Sequence, residues 1–113
     1  MELNDYQAHA HRTAVYPTKE PNGALYYTAL GLTGEAGEVA NKVKKIYRGD
    51  FPPGVSGGKI RDDIVKELGD VLWYVAEMSS VLGVSLDEVA KINVAKLPAR
   101  QSLGSLQGAG DDR

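Results

Sequence analysis

A ten-residue phrase occurs twice and fixes most of what the chain can become: Gly34-Glu-Ala-Gly-Glu-Val-Ala-Asn-Lys-Val43, and, 32 positions later, Lys66-Glu-Leu-Gly-Asp-Val-Leu-Trp-Tyr-Val75. Both copies read Glu-x-Gly-acid-Val-x-x-x-Val. On a helix of about 100° per residue, Glu35 and Glu38 lie one turn apart on a shared face, and so do Glu67 and Asp70. In the first copy Leu32, Ala36, Val39, Val43 and Ile46 gather within about ±40° as an apolar stripe, with the two acids on its flank at about −60° and −120°. Ile64, Leu68, Val71, Val75 and Leu82 make the second stripe, with Glu67 and Asp70 on the same flank. Packed antiparallel, the two stripes bring both acid pairs together. Gly37 and Gly69 stand inside these helices at a cost of about 1 kcal/mol each relative to Ala, so a close neighbour is expected at both: a helix, a ligand or a metal shell.

Carboxylates beside an apolar seam repel one another and lose hydration, which favours protonation or a cation between them. With no Cys in the chain and no His near the acids, the set suits a hard divalent ion, magnesium or manganese. Such ions keep waters and phosphate oxygens in their shells, the setting of metal-assisted phosphate chemistry. A single Glu-x-x-Glu is ordinarily a solvated acidic helix face; the duplication sets this chain apart. His9 and His11, two residues apart on a helix, point about 160° from each other and read as exposed or partly packed imidazoles, not as a metal pair.

The remaining sequence frames a small all-helical domain. At 113 residues, 42% apolar, the chain has enough for one modest core, and no apolar run approaches the roughly 18 residues of a membrane span. The acidic start Met-Glu-Leu-Asn-Asp lacks the basic region of a secretory signal, and zero Cys suits a reducing compartment, so a cytoplasmic protein is expected. A net charge of −2 argues against a general nucleic-acid binder. No alternating strand pattern occurs, and the spacing predicts a four-helix bundle with helices at about 4–16, 24–47, 60–82 and 85–97. Asn4 and Gln7 are expected to cap the first helix and Ser85 and Glu88 the fourth, with Val84 and Val89 as a hydrophobic staple and Pro98 marking an end or an irregularity.

Residues 48–59, rich in Gly and Pro, form a loop long enough to cover the acids, and the Gly-rich stretch 102–113 reads as a disordered tail. Trp73 points about 180° away from the second stripe, toward a partner or toward the first or fourth helix. Tyr74, at about −80°, falls between the acids and lines their site. Lys42, also at about −80° on its own helix, meets either a phosphate or Glu38.

Leu32-Thr-Gly-Glu-Ala-Gly-Glu-Val39, Glu67-Leu-Gly-Asp-Val-Leu-Trp-Tyr74 and Asn93-Val-Ala-Lys-Leu-Pro-Ala-Arg100 together resemble the MazG-like branch of the all-α nucleoside triphosphate pyrophosphohydrolases. The family signature is Glu-x-x-Glu followed by Glu-x-x-Asp, here separated by 28 residues between Glu38 and Glu67. The resemblance extends over about residues 4–101, including Tyr6-Gln7 and Thr13, and defines the domain as 1–101. It implies cleavage of a nucleoside triphosphate between its α and β phosphates, with Mg²⁺ held by Glu35, Glu38, Glu67 and Asp70. It further implies substrate contacts from Asn93, Lys96 and Arg100, which share a helix face, and an active homodimer or homotetramer whose site borders a subunit interface. Many relatives carry another Glu where this chain has Gly34, which leaves Glu35 or Glu38 to handle the water. Pro98 is a second departure, inside the closing motif. Two other readings fit the same residues: a phosphoribosyl-ATP-type pyrophosphohydrolase, and a non-catalytic metal-binding helical oligomer.

Overall fold

Four helices follow in order: α1 (Leu3–Arg12), α2 (Gly23–Tyr47), α3 (Gly58–Val81) and α4 (Leu86–Ser102). The structure is a computed structural model and describes residues 1–16, 19–51 and 58–102, among which there is no strand. The all-α, bundle-like architecture expected from the helical periodicity is therefore the one observed. The expected tail and the centre of the 48–59 loop lie outside the described residues.

The main helix pairing is α2 against α3. It is antiparallel: Gly31 meets Tyr74, Glu35 interacts with Asp70, and Lys42 reaches Glu67, so numbers rise on one helix as they fall on the other. α1 and α4 pack against α3 and against each other, and α4 makes no packing contact with α2. Ala10, Ala76 and Leu86 form the buried apolar centre, with Tyr6, Trp73 and Val75 packed around it. Trp73 is thus partly covered by its own chain. Its Nε1 donates to Thr13 Oγ1 at 2.8 Å, and Thr13 in turn donates to the Ala10 carbonyl at 2.7 Å.

The start of α1 differs from the capping pattern in the sequence. Glu2 occupies the cap, its backbone N–H donating to Asp5 Oδ2 at 3.2 Å, while Asn4 and Gln7 lie inside the helix. These two amides instead serve α4, whose first backbone N–H groups have no partner within their own helix. Leu86 N donates to Gln7 Oε1 at 2.8 Å and Asp87 N to Asn4 Oδ1 at 3.0 Å, while Gln7 Nε2 donates to Ser80 Oγ and to the Val84 carbonyl. One helix caps another across the fold. Ser85 plays its expected part, accepting from Glu88 N at 3.1 Å. α4 runs on through Pro98 to Ser102, beyond the expected end at 97. A proline removes one internal hydrogen bond and bends a helix, but the helix can continue where later residues are anchored, and Arg100 is buried.

Of the neighbours expected at Gly37 and Gly69, a helix of the same chain is not found among the described residues. A Cβ built on Gly37 or Gly69 would meet nothing within 4 Å among the described residues, so neither glycine is required by another of the four helices of this chain. The close approach is at Gly31, where a Cβ would lie 2.1 Å from Tyr74 Cε1. Only a residue without a side chain leaves room for that ring.

Candidate active site

The α2–α3 seam gathers three acids. Glu35 from α2 and Glu67 and Asp70 from α3 each offer a carboxylate oxygen, and these oxygens all lie within 4.8 Å of one another. The α3 pair is one helical turn apart, and the antiparallel register carries Glu35 to the same level. Burial, then the neighbouring Asp70 and Glu67 charges, a hydrogen bond with Glu67 and the Glu38 charge push the Glu35 carboxyl above its ordinary 4.5. Mutual repulsion of this kind is relieved by a proton or a cation, and three hard oxygens suit a divalent ion such as Mg²⁺. Glu38 is exposed and stands outside the group of three, though its charge reaches Glu35. Lys42 pairs with Glu67 rather than with Glu38: its Nζ lies 3.5 Å from Glu67 Oε1, offsetting part of the negative charge across the seam.

Beside the acids opens a cavity of about 310 Å³ lined by Thr13, Glu35, Asp70, Trp73 and Tyr74. Tyr74 lines it as its helical position predicts, and its phenol is raised by burial, by hydrogen bonding with Tyr27 and by the charges around it, Glu35 and Asp70 included. Tyr6 is raised as well, by burial and then by Asp70. The cavity's aromatic side continues outward. Trp73 stands edge-on to Tyr74 at 4.9 Å and to Tyr16 at 6.3 Å, and Tyr16 stacks on Tyr27 with centroids 5.3 Å apart and planes at 18°. Acids and flat apolar rings therefore share one opening, an arrangement suited to a molecule with a charged end and an aromatic end.

Asn93, Lys96 and Arg100 are not gathered there. Asn93 is exposed and lines a separate, largely apolar groove of about 280 Å³ with Leu3, Leu72, Val75, Leu86 and Val89. Lys96 is half-buried and Arg100 buried, and both have interaction partners. Within one chain α4 lies against α1 and α3, away from α2 and the Glu35 side of the seam. His9 and His11 do not pair, as their spacing predicts: His9 contacts Arg12, whereas His11 Nδ1 lies 3.2 Å from Glu77 Oε1.

Glu77 was not among the residues singled out by sequence. It is 0% exposed, and its Oε1 also accepts from the Tyr16 hydroxyl at 2.9 Å. The available signal was periodicity: Glu67, Asp70, Tyr74 and Glu77 keep to one flank of α3, and Glu77 interrupts an otherwise apolar or small run, Val75-Ala-Glu-Met-Ser. Gly31 was equally unassigned, and Thr13 was named only within the resemblance, because their roles depend on a ring contributed by another helix.

Three carboxylates on two antiparallel helices, opening beside an aromatic wall in an all-α chain, define a candidate divalent-metal and phosphate site. The chain belongs to the MazG nucleotide pyrophosphohydrolase family, whose domain model matches residues 26–103. It is 46% identical over 116 residues to the "Gene 37 protein" of Mycobacterium phage L5, a match covering 100% of both chains. It is also 33% identical over 72 residues to "Uncharacterized protein YvdC" of Bacillus subtilis (strain 168), covering 61% of this chain and 68% of that one. No solved structure matches the chain. The matched family region contains all four motif acids and leaves out α1.

Proposed function

We propose that this protein hydrolyses nucleoside or deoxynucleoside triphosphates between the α and β phosphates, adding water across that anhydride to yield the monophosphate and pyrophosphate. The observation that carries this reading is the convergence of Glu35, Glu67 and Asp70 at a cavity walled by Trp73 and Tyr74, in a chain of a nucleotide pyrophosphohydrolase family. Glu35, Glu67 and Asp70 would hold Mg²⁺, with Glu38 joining from the next turn of α2. When bound, the ion would neutralise phosphate charge and make the anhydride more open to attack.

The chain's own groups supply the rest. Glu35, whose carboxyl is already raised, or Glu38 orients the water and takes its proton. Lys42 holds Glu67 in place. Tyr74, seated in the Gly31 notch, and the Trp73 ring border the cavity where the nucleoside end lies. Asn93 lies in a separate groove and α4 does not pack on α2, so the proposed phosphate or sugar contacts of Asn93, Lys96 and Arg100 would be made to the acids of a second subunit. A homodimer or homotetramer is accordingly part of the reading, and the many large apolar side chains exposed on α2, α3 and α4 support it. Removal of non-standard or excess nucleotides from the pool is a fitting role for this chemistry.

Product analysis tests the reading. A panel of NTPs and dNTPs is incubated with Mg²⁺, with and without EDTA, and the nucleotides, phosphate and pyrophosphate are separated. Monophosphate with pyrophosphate, abolished by EDTA, is expected. Diphosphate with orthophosphate would replace the reaction assigned here, and no turnover would shift the reading to a phosphoribosyl-ATP-type substrate or a binding role.

A further inference from the structure

We infer that Glu77 is a positioning residue for the nucleobase side of the cavity, holding Tyr16 against Trp73 and thereby fixing the aromatic wall. This rests on the pyrophosphohydrolase reading above for what the wall contacts. Three observations carry it. Glu77 is fully buried next to Ala76 in the small apolar core, a place where a Leu or Met would be far cheaper than a carboxylate. Its Oε1 faces two groups from the end of α1 and the segment after it, the Tyr16 hydroxyl at 2.9 Å and His11 Nδ1 at 3.2 Å, while Oε2 has no partner among the described residues. Tyr16 lies beyond the end of α1, where no helical ladder holds it, so Glu77 and the neighbouring rings fix its position.

The chain of contact is continuous. Glu77 fixes the Tyr16 hydroxyl; the Tyr16 ring stacks on Tyr27 and stands edge-on to Trp73; Trp73 is pinned from its other side by Thr13 and borders the cavity with Tyr74, Glu35 and Asp70. A nucleotide whose phosphates meet the acids has these rings as the nearest flat apolar faces for its base. Stacking on such faces tolerates different bases but depends on the rings being held in place. A costly buried acid that reaches the site only through a ring it anchors is the kind of local conflict that marks a functional constraint.

The test uses the full chain with Glu77→Leu, Glu77→Gln, Tyr16→Phe and the double variant Tyr16→Phe/Glu77→Leu. Trp73 is the single Trp of the sequence, so its emission reports on the wall alone. For Glu77→Leu we expect unchanged helix content and an equal or higher melting temperature. We also expect a shifted and more readily quenched Trp73 emission, and a KM raised roughly tenfold with kcat altered less than about twofold, the pattern of lost binding rather than lost chemistry. Tyr16→Phe should act in the same direction, the double variant should be no worse than the worse single, and Glu77→Gln, which keeps an acceptor oxygen, should restore most of the loss. Unchanged KM in both single variants, or additive effects in the double, would overturn the assignment. Should Glu77→Leu fail to fold, Tyr16→Phe decides, since it leaves the carboxylate in place. If the wild-type protein turns over no nucleotide, the reaction reading fails separately. Nucleotide binding in the presence of Mg²⁺, read by Trp73 quenching, then takes the place of KM, and an emission that no nucleotide changes would overturn the role of the wall.

Discussion

Asp70 is the residue whose replacement separates site from scaffold most cleanly. It is exposed, belongs to the three-acid group and lines the cavity, so Asp70→Asn removes a charged ligand oxygen without opening a hole in the core. Turnover is expected to fall at least roughly a hundredfold while the helical fold persists, with a slightly higher melting temperature in the absence of metal because like charges are relieved. Wild-type rates in a folded Asp70→Asn protein would remove it from the site. Glu35 makes a pH prediction. Its carboxyl is raised above 4.5 when folded, so across the window from 4.5 upward the folded protein keeps a proton that the unfolded chain has released, and stability falls as pH rises. Melting of wild type against Glu35→Gln, followed from about pH 4 to 8, should show wild type losing ground as pH rises through that window. Added Mg²⁺, which competes with that proton, should stabilise wild type more at the upper end. Tyr16 gives an alkaline counterpart. Burial first, then the hydrogen bond to Glu77 and its charge, push the phenol from 10.0 to about 12, so its contribution to stability is complete below pH 10.0 and lost as pH rises through about 12. In a phenolate absorbance titration, Tyr16→Phe should remove a late-titrating tyrosine; an unchanged high-pH limb would contradict the buried hydrogen bond.

At the level of elements, the α2–α3 seam makes opposite predictions for glycines that look alike in sequence. Gly31→Ala drives a methyl into the Tyr74 ring, so it should destabilise the fold by about 1–3 kcal/mol and weaken turnover together with it. Gly37→Ala adds a methyl to an exposed helix surface with nothing within 4 Å and should stabilise by about 0.5–1 kcal/mol. Thermal denaturation of the two variants side by side distinguishes these signs, and a destabilised Gly37→Ala would reveal a surface that packs on α2 from outside the chain. The same residues show where sequence stops being informative. Repeated acid pairs at i and i+3 were legible, because helical periodicity alone fixes which side chains share a face, and three of the four converge as that periodicity requires. Gly31 was invisible, because its need is created by a ring on another helix, whereas a Cβ on the conspicuous Gly37 or Gly69 would meet no neighbour among the described residues. Asn4 and Gln7 read as a local cap, yet they cap α4, since a backbone N–H accepts any well-placed amide oxygen regardless of its distance along the chain. Glu77 kept the right periodicity but carried no motif, and only the fold shows that it is buried against Tyr16.

For the whole molecule, the question is what covers its apolar surface. Among the described residues only Ala10, Ala76 and Leu86 are apolar and fully buried, a core too small to hold four helices of this length. Meanwhile Val65, Leu68 and Leu72 lie within about 60° of one another on α3 and are 51%, 52% and 40% exposed. The two apolar stripes are in part displayed on the outside of the chain: Leu68 on α3, Leu82 just past its end and Val43 on α2 are all exposed. Side chains of this kind are stabilised when a second copy buries them, and a two-fold arrangement would let one surface satisfy the same surface of its partner. Sedimentation should therefore give a mass at least twice the 12.1 kDa of the chain, and the melting temperature should rise with protein concentration. Leu68→Glu, placed in the middle of the exposed stripe, should shift the protein toward monomer and lower its melting temperature. It should also reduce turnover if Asn93, Lys96 and Arg100 serve the acids of the partner subunit rather than those of their own chain. A monomer with concentration-independent melting would show instead that α3 faces water, and would require the substrate contacts of α4 to be made within one chain.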